Sequence, residues 1–135
     1  MVTREHHREL IARFYNDMWN RFDKAVFAEV LEPTIRFRGS LGKEKVGYDE
    51  FGEYVDFIRA FSPDFHNEVV QTISEGAHTF ARLSYTGTHR GEVFGIPPTG
   101  RRLEYTGAAV FTIPGDRIAA VWVLGDIDGL LRQLR

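Results

Sequence analysis

The residue type best placed to move protons in this sequence is a carboxylate at the end of an apolar strand. From Ile118 to Gly125 every residue is apolar or Gly, and Asp126 follows directly. A side-chain period of two puts Ile118, Ala120, Trp122, Leu124 and Asp126 on one row, so the carboxylate ends the row that carries an indole. Desolvation in such surroundings raises a carboxyl pKa towards about 6–7, where it both accepts and donates a proton near neutral pH. The alternative is that Asp126 caps the short helix GLLRQL, a role Asp favours and Asp128 fills as well. His66 and His89 are the other polar candidates, each on a predicted strand. On the face of His89 lie Leu83, Tyr85 and Gly87, and on that of His66 lie Asp64, Glu68 and Val70. A neutral imidazole there donates to a developing oxyanion or relays a proton to Asp126, or else it is a hydrogen-bonded strand-end residue. His6, His7 and His78 read as surface residues. No ligand pair shows metal-site spacing, so no metal is expected.

Aromatic residues supply candidate walls. Eleven Phe, five Tyr and two Trp exceed what a minimal core needs and suit a cavity for flat or polycyclic molecules. Tyr15, Trp19, Phe57, Phe61, Tyr85, Tyr105 and Trp122 are the candidate substrate-binding residues, although aromatics at helical or strand spacing also serve as core. Arg101 and Arg102 follow a proline loop and are placed to anchor it or to meet a substrate oxygen. Arg102-x-Glu104 is an isolated Arg and acid pair. Phosphate-binding, nucleophile-elbow and metalloprotease motifs do not occur.

These residues need elements to hold them. Leu10, Ile11, Phe14, Tyr15, Met18, Trp19 and Phe22 follow helical spacing behind Thr3, a plausible N-cap. Asp23 introduces a second short helix, Lys24 to Leu31, that stops before Pro33. Thr34 to Arg38 alternates as a strand, and Ser40 to Gly47 reads as a loop. Phe51, Tyr54, Val55, Ile58 and Phe61 mark a third helix, Tyr48 to Phe61. After Pro63 the chain reads as strands at 64–74, 78–89, 101–113 and from Ile118 onward, joined by Glu75-Gly76 and Pro114-Gly115-Asp116 turns. The loop Gly91 to Gly100 has an imposed shape and is expected at the cavity mouth or a dimer seam. Helices followed by an antiparallel meander give an α+β domain with helices on one face of a curved sheet and a short C-terminal helix.

Length and charge bound the rest. At 135 residues the chain is one domain, able to bury roughly two thirds of its unfolded surface. A net charge of −2 offers no field for nucleic acid or an anionic membrane. The absence of Cys excludes thiolate catalysis and disulfides. The charged N-terminus MVTREHHREL lacks an apolar signal region and no run approaches a membrane span, so a soluble cytoplasmic protein is expected.

The segments FYNDMWNRFD, FSPDFHNEV, TGTHRGEVFGIPPTGRRL and VWVLGDIDGLLRQL together resemble the SnoaL-like polyketide cyclase (ester cyclase) family of the NTF2-like superfamily, nearly end to end. The resemblance implies a cone-shaped α+β barrel with a cavity between helices and concave sheet, and a homodimer or tetramer assembled through the sheet. It implies cofactor-free intramolecular aldol ring closure of a hydrophobic, carbonyl-bearing small molecule, with an acid/base Asp that aligns with Asp126. A non-catalytic binding protein for a hydrophobic molecule, or another isomerase, hydrolase or lyase on the same cavity, is the alternative.

Overall fold

The computed structural model describes residues 3–135; Met1 and Val2, part of the charged N-terminal stretch, lie outside the described residues. Thr3 caps α1 (Arg4–Arg13) by accepting from the His6 amide at 3.1 Å. The helix does not run on unchanged to Phe22. It widens into a π-helical segment, Phe14–Trp19, whose Asn20 amide reaches back five residues to the Tyr15 carbonyl at 2.7 Å. Phe14, Tyr15, Met18 and Trp19 of this segment are all buried. Phe22 then ends the helix in a left-handed conformation, with φ of 52°. Asp23 caps a 3₁₀ turn, Lys24–Val26, that leads into α2 (Phe27–Val30).

Strand β1 (Leu31–Arg38) starts earlier than alternation suggests and includes Pro33, which the sheet tolerates because its register with the neighbouring strand shifts between Leu31 and Arg36. Within the expected loop a short edge strand forms, β2 (Glu44–Val46). Helix α3 (Gly47–Phe61) buries Phe51, Tyr54, Val55, Ile58 and Phe61. The meander follows as β3 (His66–Glu75), β4 (His78–Thr88), β5 (Arg102–Thr112) and β6 (Ile118–Gly125), antiparallel throughout. β1 joins it parallel to β6, giving the order β2-β1-β6-β5-β4-β3 in a curved sheet that does not close. α4 (Ile127–Leu134) folds back with Leu130 and Leu134 buried. Its Gln133 side chain bridges the backbone of Glu104 in β5, accepting from the amide at 2.9 Å and donating to the carbonyl at 2.7 Å. No helix among the described residues is long and apolar enough to cross a membrane.

The helices cover one face of this sheet. Its inner rows are Leu83, Tyr85 and Gly87 of β4, Tyr105, Gly107 and Ala109 of β5, and Val121, Val123 and Gly125 of β6, as the cross-strand pairs Tyr85↔Tyr105 and Ala109↔Val123 require. The row of β6 expected to face a pocket is therefore the outer one. Trp122 and Leu124 are 48% and 54% exposed, whereas Val121 and Val123 are buried. Both rows are apolar, so periodicity cannot choose between them; pairing of Val121 with buried Phe111 makes the choice.

Candidate functional site

Between the helical layer and the inner face lies an apolar cavity. The π-helical segment contributes Phe14, Tyr15 and Trp19, and α3 contributes Tyr54 and Ile58. The sheet adds Phe37, Asn67, Tyr85, Tyr105 and Val123, Phe65 comes from just before β3, and the turn after β1 closes one side with Gly39, Ser40 and Leu41. No Asp, Glu, His, Lys or Arg side chain is among these walls.

Small residues on the sheet make room for the rings. Tyr85 lies across Gly107, where a Cβ would come within 2.6 Å of its Cε2 and 2.7 Å of its hydroxyl. Tyr85 and Tyr105 then meet with ring centroids 4.8 Å apart, and Phe65 stacks on Tyr85 at 5.6 Å. Burial pushes all four phenols up. Tyr54 rises to about 12, with the Leu41 backbone hydrogen bond and the Arg38 charge pulling the other way. Tyr15, Tyr85 and Tyr105 also rise, each raised further by neighbouring phenols. They are neutral hydroxyls across the physiological pH range.

The polar wall is Asn67, which is buried and held by Asn20 from the end of the π-helical segment. Asn20 Oδ1 accepts from the Asn67 amide at 2.7 Å and from Asn67 Nδ2 at 3.1 Å, while Asn20 Nδ2 donates to the Asn67 carbonyl at 3.0 Å. As enclosed, the cavity measures about 40 Å³, room for little more than a water molecule. A ligand of several rings needs a few hundred Å³. The turn from Gly39 to Lys43 is lightly held, by the long 3.4 Å contact from Gly42 to Gly39 and the Leu41 backbone hydrogen bond to Tyr54.

Four of the seven aromatic candidates, Tyr15, Trp19, Tyr85 and Tyr105, line this space. The other three do not. Trp122 is on the outer face under the Arg38 guanidinium, 5.2 Å from its ring centroid. Phe57 is 41% exposed on the far side of α3, off the buried stripe. Phe61 is buried but packs between Phe65 and His89, one ring behind the wall.

The three polar candidates are dispersed. Asp126 is exposed and caps α4, its Oδ1 accepting from Gly129 N at 3.0 Å, and its carboxylate borders a shallow outer groove with Val70, Phe80 and Leu124. Asp128 does not cap; it pairs with Arg132 at 3.1 Å on the surface. His66 is exposed at the start of β3. His89 continues the inner row of β4 and is fully buried, but it serves the proline loop: its Nδ1 accepts from Thr99 N at 3.2 Å and lies 2.9 Å from Thr99 Oγ1. That loop docks on the end of α3, the amides of Arg90 and Gly91 both donating to the Phe61 carbonyl, and none of its residues lines the cavity. Arg101 donates to the carbonyls of Gln133 and Arg135, and Arg102 lies 3.6 Å from Asp64. His7, expected at the surface, is buried with Nδ1 2.8 Å from Thr79 Oγ1, and burial lowers its pKa.

Tyr54, Asn67, Phe14, Phe37 and Phe65 are walls that sequence reasoning missed as site residues. For Asn67 the signal was available: the row Phe65, Asn67, Val69 is more apolar than the row of His66, and a single amide in an apolar row marks a lined space.

The same architecture recurs in known proteins. Residues 9–134 match the family described as SnoaL-like polyketide cyclase. Nogalonic acid methyl ester cyclase of Streptomyces nogalater is 27% identical over 126 residues, 93% of this chain and 91% of that protein. Among solved structures, TsrD of Streptomyces laurentii superposes with a TM-score of 0.85 at 24% identity, covering 99% of this chain and 98% of its own. IdmH of Streptomyces antibioticus gives 0.81 at 26% identity, covering 94% and 96%.

Proposed function

Because this chain belongs to the SnoaL-like polyketide cyclase family, we propose that it is a cofactor-independent cyclase that closes a ring within an apolar, carbonyl-bearing, polyketide-like molecule. The observation that carries the reading is the charge-free, phenol-ringed cavity between helices and sheet. Intramolecular aldol closure requires the substrate to be folded on itself away from water, which such walls favour. A base takes the proton alpha to one carbonyl, the enolate carbon attacks a second carbonyl of the same molecule, and the resulting alkoxide takes a proton. No wall side chain accepts a proton near neutral pH, so the base comes from the rim.

Asp126 is our candidate for it. A Cβ on Gly125, the residue before it, would stand 2.8 Å from Ser40 Oγ and 3.5 Å from Tyr105 Cε2, so Asp126 directly adjoins the lined wall. To act, the carboxylate must exchange its cap bond to Gly129 for the substrate proton and reach the cavity from the outer groove, past Gly125. The nogalonic acid methyl ester of the Streptomyces relative is the first substrate to offer, with the cyclised isomer followed by chromatography and mass. Asp126→Asn keeps a capping oxygen and removes the base, so it folds normally and loses turnover about 100-fold or more. Full activity in Asp126→Asn removes Asp126 from the mechanism.

The outer face supports a second copy as partner. Val110, Trp122 and Leu124 present an exposed apolar patch on adjacent strands β5 and β6 that helices on the other face cannot cover, so a homodimer through this face fits the molecule.

A further inference from the structure

The walls of the cavity are rich in hydrogen-bond donors without partners. Among the described residues no hydrogen bond within the chain engages the hydroxyls of Tyr15, Tyr85 and Tyr105 or the indole N–H of Trp19, and none of these atoms is sealed off as the Nε2 atoms of His7 and His89 are, so they open onto the cavity their residues line. A donor that opens onto an enclosed space is satisfied by what occupies it, water in the free protein and a ligand when one binds. Tyr85 and Tyr105 are in ring contact across paired strand positions, and the close approach of Tyr85 to Gly107 lays its ring and hydroxyl along the sheet.

The acceptor side is fixed just as closely. The Asn67 amide N–H donates to Asn20 Oδ1, and the Asn67 carbonyl accepts from Asn20 Nδ2, which together set the orientation of the Asn20 amide. The Asn67 group at 3.1 Å from Asn20 Oδ1 must then be the donor, Nδ2. Asn67 Oδ1 is left as the unengaged end of a side chain that forms part of the wall. With no ionised side chain on the walls, a ligand charge brought inside would be uncompensated, which is costly in apolar surroundings.

We propose that Tyr85 and Tyr105 jointly donate hydrogen bonds to one carbonyl oxygen of the ligand while Asn67 Oδ1 accepts from a ligand hydroxyl, so that the site selects neutral keto-enol compounds over carboxylic acids and amines. This deepens the cyclase reading by naming the groups that hold the reacting carbonyl, and it stands on binding alone. In a cyclisation the same two phenols would strengthen their bonds as that oxygen gains enolate charge.

The test is equilibrium binding, by titration calorimetry, of three flat probes of one ring system: naphthalene, 2-acetylnaphthalene and 2-naphthoate. The wild-type protein is expected to bind the ketone about 10-fold or more tightly than naphthalene, as two neutral hydrogen bonds allow, and to bind the carboxylate at least about 10-fold more weakly than the ketone. In Tyr85→Phe/Tyr105→Phe the ketone should fall to the affinity of naphthalene, with naphthalene itself unchanged, which reports that the cavity is intact. Should the double variant not fold, the two single variants are read the same way, each losing part of the preference. A ketone preference that survives the loss of both hydroxyls overturns the proposal, as does a carboxylate that binds as well as the ketone. So does failure of every probe to bind the wild type. Loss of turnover in Asp126→Asn with the probe preferences intact, or the reverse, separates this proposal from the assignment of the base.

Discussion

Asn20→Ala tests the link between the helical layer and the sheet. β3 is an edge strand, and at Asn67 its backbone N–H and C=O point away from β4 and end on the Asn20 side chain, which takes the place of a neighbouring strand. Removing that side chain deletes bonds of 2.7, 3.0 and 3.1 Å at once. All three lost bonds are neutral; those to the Asn67 carbonyl and side chain contribute about 0.5–1.5 kcal/mol each, and leaving the buried Asn67 backbone amide unpaired costs about 1–3 kcal/mol. Water reaches half-buried Asn20 and recovers part of this, so the expected loss is about 2–4 kcal/mol. In a domain of this size that lowers Tm by roughly 10 °C. Urea denaturation of wild type and variant with equal m-values measures the loss. Asn20→Asp retains an oxygen for both donors but sets its second carboxylate oxygen against the Asn67 carbonyl, so it too should destabilise the fold. An Asn20→Ala variant within about 0.5 kcal/mol of wild type would refute the argument. Amide exchange supplies a local check, since Asn67 should be protected in the wild type despite its edge position and exposed in Asn20→Ala.

The Asp64 carboxyl gives a pH-dependent expectation. Desolvation pushes its pKa up, but hydrogen bonds from the Thr88 hydroxyl and amide and from Ser62 outweigh this and leave it below the ordinary value. A depressed native pKa means its contribution is fully present above the unfolded value of about 3.9 and is lost as pH falls through the native pKa. Denaturation of Asp64→Asn from pH 6 to pH 2.5 should therefore show a gap from wild type that narrows only at the acid end; a gap constant across that range contradicts it. Trp122→Glu places a charge on the outer apolar patch and should shift sedimentation at micromolar concentration from dimer to monomer with the fold retained, whereas a monomeric wild type removes the proposed interface.

What could be read beforehand divides along a physical line. Elements whose polar and apolar faces differ were legible: α3 from the stripe Phe51, Tyr54, Val55, Ile58 and Phe61, and the last hairpin from Pro114-Gly115-Asp116 between two apolar runs. The order of helices first and meander after follows from such elements. Orientation failed where both faces are apolar. On β6 the alternatives Val121/Val123 and Trp122/Leu124 are equally hydrophobic, and only pairing with β5 decides between them, a long-range contact that no local window contains. That one inversion moved Trp122 out of the expected pocket and put the Asp126 carboxylate beside an outer groove. Phe57 failed for a smaller reason, since it sits one position before Ile58, beyond the edge of the helical stripe. His7 was legible and was passed over, because it precedes Leu10, Ile11 and Phe14 at helical spacing and so shares their buried side. The short strand β2 was not, its sequence Glu44-Lys45-Val46 being charged and only three residues long. Pairing with β1 alone makes it a strand. The site follows the same rule: its aromatic walls were visible as residue types, while the Asn20 and Asn67 pair that orients its one amide joins positions 47 apart in sequence and belongs to the folded chain alone.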